Sequence, residues 1–250
     1  MGHYLSERES ENENAYEYEN EQGQGRGARR KRRHSAGDAT RELLLVTAER
    51  LYALHGIEGV PLRRIRTEAG QSNSSVIAYH FGSQAGLVSA LIEFRYVRIN
   101  ARRAELLDEA RAQGILGDPC AAVWLIVRPL LESIEAGEMF VPFLARVSAD
   151  PRAIAQYLPD SVGDSSLGLL GELLPDLMAA LPERARRGRQ VQVHNSVLNL
   201  LAELARGRHR ISEAQLSNYV DGWVGMLTAP LSAATAELMR QGAEAREDRS

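Results

Sequence analysis

From Asp38 onward the apolar residues recur three and four positions apart, and no stretch alternates apolar with polar between hairpin turn residues. A chain with that single periodicity buries its apolar side by packing helix on helix, so the expected fold is all-α. A candidate N-cap at Asp38, an apolar face at Leu44, Ala48, Leu51 and Tyr52, and a stop at Gly56 predict the first helix. Pro61 then suits the first turn of a short second helix, with Leu62, Ile65 and Ala69 on one face and Gly70 as its end. The turn Gly70-Gln71-Ser72-Asn73 leads into a third helix over Ser74 to Phe81, closed by Gly82. Two short helices joined by a tight glycine-containing turn and braced by a longer one make a helix-turn-helix unit.

Beyond Ser83, another candidate N-cap, Leu87, Leu91, Phe94, Val97, Ala101 and Ala104 predict a long fourth helix to about Gln113. Gly, Pro and Asp then divide further helices at about Pro119 to Ala136, Met139 to Ala149, Pro151 to Leu158, Leu167 to Leu181, Pro182 to Arg206 and Ile211 to Gln241. The expected division is an arm over 1–37, a helix-turn-helix domain over 38–94 and a second helical domain over 95–250.

The rest of the composition removes several classes of function. In 250 residues there is one cysteine, Cys120, and six scattered histidines, so neither an internal disulfide nor a Cys/His metal cluster is available. No metal and no cofactor is expected. Cys120 has no histidine near it in sequence, and no Gly-rich loop opens a helix after a strand, so an enzyme is not expected. The first residues are acidic, and the longest apolar run, Ala121 to Val127, is far short of a membrane span. A cytoplasmic protein without a membrane partner is the expectation.

The net charge of -3 hides a strong separation. Residues 1–25 hold seven Glu and one Arg; residues 26–103 hold 15 basic and 6 acidic residues; residues 104–250 hold 14 basic and 20 acidic. The basic middle is the part suited to phosphate. Residues 1–37 lack aliphatic periodicity and read as a disordered arm, whose Arg29 to Arg33 run is either a flexible phosphate-binding segment or a solvated tail.

A helix that enters the major groove needs short hydrogen-bonding side chains at its N-terminal end and apolar residues facing its supports. Ser72, Asn73, Ser74 and Ser75 followed by Ile77 and Phe81 meet that demand, and Arg63, Arg64 and Arg66 on the preceding helix are placed to reach phosphates. An ordinary surface helix pair with solvated arginines is the competing reading.

The segment from Thr40 to Leu91 resembles the DNA-binding domain of the tetracycline-repressor (TetR) family of bacterial transcription regulators. The opening helix matches through Thr40, Arg41, Leu44, Leu45, Ala48, Leu51, Tyr52 and Gly56, and the second through Leu62, Arg63, Ile65, Ala69 and Gly70. AGQSNSSVIAYHFGSQAGL is similar to a branch of that family with a longer turn-helix segment running A-G-Q-x-N-x-S to Y-H-F-G-S. The resemblance implies that Thr40 and Arg41 approach phosphates, that Ser72 to Ser75 face base edges, and that Tyr79 and His80 lie against the backbone or groove wall. It also implies that Ser83 and Gln84 hold a phosphate at a helix N-terminus. Three residues depart from the family pattern: Pro61 for a Thr or Ser, Arg66 for a small residue and Gln84 for a Lys. They leave open a second possibility, a helical ligand-binding or scaffold protein with a decayed DNA-binding head.

One such unit reads only a few base pairs, so double-stranded operator DNA calls for a homodimer with half-sites spaced by roughly 34 to 36 Å. The stripes Val193, Val197, Leu200, Leu201, Leu204 and Val220, Trp223, Val224, Leu227, Leu231 suit a four-helix seam, with a purely intramolecular core as the alternative. Trp124, Arg128, Phe140, Phe143, Tyr157 and Asn195 are candidates for an apolar pocket with sparse polar anchors, each also readable as plain core. His194 reads as an ordinary helix histidine. The family resemblance implies a repressor released from its palindromic operator by a small-molecule effector acting through the fourth helix.

Overall fold

The computed structural model describes residues 37–157, 181–207 and 211–247, with single positions at 170, 173, 174 and 179, and side chains as far as residue 242. The arm with its Arg29 to Arg33 run and most of the helix expected at Leu167 to Leu181 lie outside the described residues. Every regular element among the described residues is an α-helix. The chain separates into two compact units, Met1–Val46 and Thr47–Ser250. In the first, residues 37–46 are helical, with Leu44 and Leu45 buried and Leu43 and Val46 exposed. Gly37 is already helical, so Asp38 lies inside the helical run and not at a cap.

The second unit opens with α1 (47–55), closed by Gly56 at φ 79, whose N–H donates to the Tyr52 carbonyl at 2.9 Å. α2 (Leu62–Glu68) starts one residue later than expected. Pro61, at ψ 144, is its N-cap and not its first helical residue, while its carbonyl still accepts Arg64 N–H at 2.9 Å. α3 (Val76–Phe81) is two residues shorter than the sequence predicts. The Asn73 side chain accepts Ser75 N–H at 3.0 Å, and this local turn keeps Ser74 and Ser75 out of the helix. α4 (Gln84–Ala112) is capped by Ser83, whose Oγ accepts Gly86 N–H at 3.0 Å. A Cβ on Gly86 would lie 2.1 Å from the Phe81 carbonyl oxygen, so only glycine lets α4 begin this close behind α3.

The body is built from α5 (Pro119–Glu135), α6 (Phe140–Ser148), α7 (Pro151–Tyr157), α8 (Glu183–Gly207), α9 (Glu213–Thr228) and α10 (Ala233–Glu247). α6 packs chiefly on α8, and α5 lies against α4, α6, α8 and α9. Phe140, Phe143, Leu144, Val193, Val197 and Leu201 are fully covered; burial of each such side chain contributes about 1.5–3 kcal/mol. The single helix expected over Ile211 to Gln241 is two helices. Ala229 precedes Pro230, is driven to ψ 133 and ends α9 there.

The expected apolar stripe of α4 is also corrected. Val97 is 70% exposed, Ala101 and Ala104 are exposed and Phe94 is half-buried, whereas the covered face runs through Leu91, Ile92, Arg95, Tyr96, Ile99, Arg103 and Ala110. Two arginines therefore occupy core positions of this helix. Arg95 is neutralised: its Nε and Nη2 donate to both oxygens of Glu49 on α1 at 2.5 and 3.1 Å, and its Nη1 donates to Glu138 at 2.5 Å. Met139 N–H also donates to Glu49 at 2.8 Å, and the Ser133 hydroxyl and Arg98 donate to Glu138 at 2.7 Å each. Burial pushes the Glu49 carboxyl upward from its ordinary range, against the pull of Arg95. Arg146 of α6 donates to the Ala53 and Leu54 carbonyls at 2.8 and 3.2 Å, so the exposed C-terminal end of α1 is capped from the body.

Candidate nucleic-acid interface

α2 and α3 are seated by few residues. Ile65 and Ala69 cover the inner side of α2 and its exit, and Val76 and Ile77 that of α3; Phe81, expected in the core, is only half-buried. The turn between the two helices is held by Arg66, whose Nη1 donates to the Ser72 carbonyl at 2.7 Å and to the Gln71 carbonyl at 3.3 Å. Arg66 thus braces the turn as a structural residue. That explains how this position accepts a long cation without pushing the helices apart.

The brace presents Ser72, Asn73, Ser74 and Ser75 outward as one exposed run. Asn73 uses its carbonyl oxygen on Ser75 N–H, which fixes the side chain and leaves its amide NH2 without an acceptor among the described residues. Tyr79 is 82% exposed, its ring edge-on to His80 at 4.9 Å, and His80 is half-buried. An aromatic ring this exposed on a six-residue helix contributes nothing to the core; it is surface available to a partner. Short hydroxyls, one amide donor pair without an acceptor among the described residues and an exposed phenol form a donor-rich and acceptor-rich surface.

Among the cations, Arg63 is exposed and has no partner among the described residues. Arg64 shares Glu68 with Arg50, at 2.8 and 2.6 Å, and these two cations hold the Glu68 carboxyl below its ordinary range. Ser83 spends its hydroxyl on capping α4, and Gln84 turns its amide onto the Ile57 carbonyl at 3.1 Å. Gln84 therefore secures the entry of α4 to the loop after α1. Thr40 and Arg41 belong to the first unit, are half-buried, and are each engaged by an interaction.

The six candidate pocket residues do not converge. Trp124 and Arg128 line a cavity of about 990 Å³ together with Leu131, Glu138, Leu204 and Leu216, and the Arg128 guanidinium lies over the Trp124 ring at 5.0 Å. Tyr157 and Phe143 line a separate cavity of about 390 Å³ beside Tyr52 and Arg146. Phe140 is solid core, in ring contact with Phe143 at 6.2 Å and with Tyr96, and Phe143 is also in ring contact with Tyr52. Asn195 is half-buried on α8 and borders neither of these two cavities.

Of the candidate seam residues, Val193, Val197, Trp223 and Leu227 are already covered within one chain, 0 to 3% exposed, and Trp223 donates to Ser196 at 2.9 Å. Leu200, Leu204 and Leu231 are half-buried. The apolar surface that α8 and α9 leave open is carried by Val191, Tyr219 and Met226. Neither the Glu49, Arg95 and Glu138 cluster nor Arg103 was read from the sequence as functional. Their signal is a charged residue in phase with an apolar stripe.

No family model matches the chain. It is similar to the HTH-type transcriptional repressor AcnR of Corynebacterium glutamicum, 34% identical over 101 residues, 38% of this chain and 51% of the relative. The HTH-type transcriptional repressor NicS of Pseudomonas putida is 32% identical over 93 residues, 37% of this chain and 43% of that protein. AcnR of Corynebacterium efficiens is 33% identical over 93 residues, 36% and 47% respectively. The chain spans about half the length of the curated relatives it matches. An all-helical chain with an exposed, polar-edged helix pair is thus similar, over a little more than a third of its length, to repressors of the helix-turn-helix type.

Proposed function

We propose that the chain is a TetR-type transcriptional repressor that binds palindromic operator DNA as a homodimer and is released by a small molecule. The observation that carries the reading is the Ser72 to Ser75 edge, exposed and stiffened by Arg66 and by the Asn73 turn, backed by buried Val76 and Ile77. The repressor relatives support it. In this reading Asn73 and the three serines read base edges, Tyr79 and His80 meet the groove wall, and Arg63 supplies a free cation for phosphate. Arg64 joins in backbone contact. Ser83 offers the N-terminal end of α4 to a phosphate, with Gln84 positioning that helix.

Selection of bound DNA from a random pool tests the reading: a palindrome is expected, and recovery of no preferred sequence overturns it. Asn73→Ala is expected to lose about 1–3 kcal/mol of discrimination at one base pair of each half-site. Arg63→Ala is expected to weaken all sequences alike and to lower the slope of log affinity against log salt by about 1. Uniform weakening by Asn73→Ala would move that residue from reading to positioning.

The dimer is proposed to form on the open face of α8 and α9, with Val191, Tyr219 and Met226 at its centre and Leu200, Leu204 and Leu231 at its border. The doubly substituted Tyr219→Glu, Met226→Glu chain is expected to sediment as a monomer and to lose operator binding, because burying two like charges against their symmetry mates is unfavourable. A dimer that survives both changes places the seam elsewhere.

A further inference from the structure

The two core arginines of α4 are treated differently by the fold. Arg95 is 5% exposed and meets two carboxylates. Arg103, two turns along the same face and 6% exposed, meets none among the described residues. Its Nε donates to the Leu125 carbonyl of α5 at 3.3 Å and its Nη1 donates to the Asn100 side chain at 2.8 Å; both acceptors are neutral. A guanidinium has five N–H donors and keeps its charge in a protein, so this core holds an uncompensated cation. His194 of α8, near enough for the Arg103 charge to act on its ring, has its Nδ1 buried with no hydrogen-bond partner. The charge of Arg103 adds to burial in keeping that imidazole neutral. A buried cation met only by neutral acceptors and a buried ring nitrogen without a partner, on two different helices, mark a place suited to a further polar group.

We propose that Arg103 and His194, where α4, α5 and α8 meet, hold the carboxylate of a small-molecule effector. The inference rests on the ligand-responsive reading above and gives the ligand its chemical class. A carboxylate matches the flat two-donor edge of the guanidinium. Its single negative charge balances Arg103 beside a neutral His194, whereas a dianionic phosphate would leave a charge over. Because Arg103 lies on the same helix as Arg95, the anion would bear on α4, which runs unbroken from the reading head into the body.

The test uses the full chain labelled with carbon-13 histidine, the His194 ring signal being identified by its loss in His194→Phe. Sodium formate and sodium benzoate are compared with sodium chloride at equal ionic strength, and with formamide and benzyl alcohol as neutral counterparts. Both carboxylates are expected to shift the His194 signal saturably, the neutral molecules not to, and Arg103→Met to abolish the response. If that variant does not fold, Arg103→Lys, which keeps the charge and loses the fork, is expected to weaken benzoate at least tenfold. No response to formate or benzoate, or an equal response to the neutral molecules, overturns the proposal in favour of water or an uncharged ligand. Operator binding is followed in parallel and is expected to weaken about 5- to 150-fold in saturating benzoate. An unchanged operator affinity with benzoate bound overturns the effector role, and a ligand-free chain with no operator binding overturns the repressor reading while the carboxylate result stands.

Discussion

Arg95→Met is expected to lower the free energy of unfolding by about 3–5 kcal/mol, read from urea denaturation of the full chain. The size follows from what the substitution leaves behind. Glu49 has a side chain 3% exposed and Glu138 one 14% exposed, and both are aimed at the guanidinium. Without Arg95 two carboxylates are left facing each other, one of them with only Met139 N–H as a donor. Removing one member of a buried ion pair costs far more than removing the pair. The double substitution Glu49→Leu, Arg95→Met is therefore expected to recover more than half of the loss, since Glu138 keeps Arg98 and Ser133. A single variant that loses less than about 1 kcal/mol would show that water reaches the cluster and that the pair is effectively a surface one. Glu138 also lines the 990 Å³ cavity. The network thus joins a cavity wall to α4 and to α1, and a change at either end has a direct path of hydrogen bonds to the other.

How much of this was legible in the sequence depends on what kind of residue carried each feature. The helix stops at Gly56, Gly70 and Gly82 are read directly, because positive φ at those positions leaves glycine as the ready choice. The polar run Ser72 to Ser75 was legible too, since exposure and short side chains coincide there. The start of α3 was not: Asn73 forms a side-chain turn whose hydrogen bond competes with the helix, and spacing alone does not reveal which wins. Arg66 was legible as a departure from the family pattern but not as a brace, because its acceptors are backbone carbonyls that have no sequence signature. The largest misreading is the face of α4. Counting only apolar residues steered the stripe through Val97 and Ala101, away from Arg95 and Arg103, although those two are in phase with Leu91, Ile92 and Ile99. The candidate seam failed to separate inside from outside for a related reason. Long stripes on α8 and α9 serve the core of one chain first, and what remains exposed is the shorter set of Val191, Tyr219 and Met226.

Acid is expected to destabilise the protein well before its carboxylates protonate, and His194 supplies most of the first phase. Burial, reinforced by the positive charge of Arg103, pushes the imidazole down from 6.5 to about 4. Between those values the unfolded chain binds a proton at this residue and the folded chain does not. Stability is then complete above about pH 6.5 and falls as the pH drops toward 4. At about 1.4 kcal/mol for each pH unit of separation, the full window is worth roughly 3 kcal/mol. Urea denaturation in chloride buffers from pH 7.5 to 4 is expected to show that loss in the native chain. The His194→Gln variant, which has no proton to gain, is expected to keep a flat profile down to about pH 5. Adding benzoate at constant ionic strength separates two accounts of the same residue. If His194 is only a histidine trapped in apolar surroundings, the profile does not move. If a carboxylate seats beside Arg103, it favours the imidazolium in the folded state, raises the folded pKa toward the unfolded one, and shortens the window in which stability is lost.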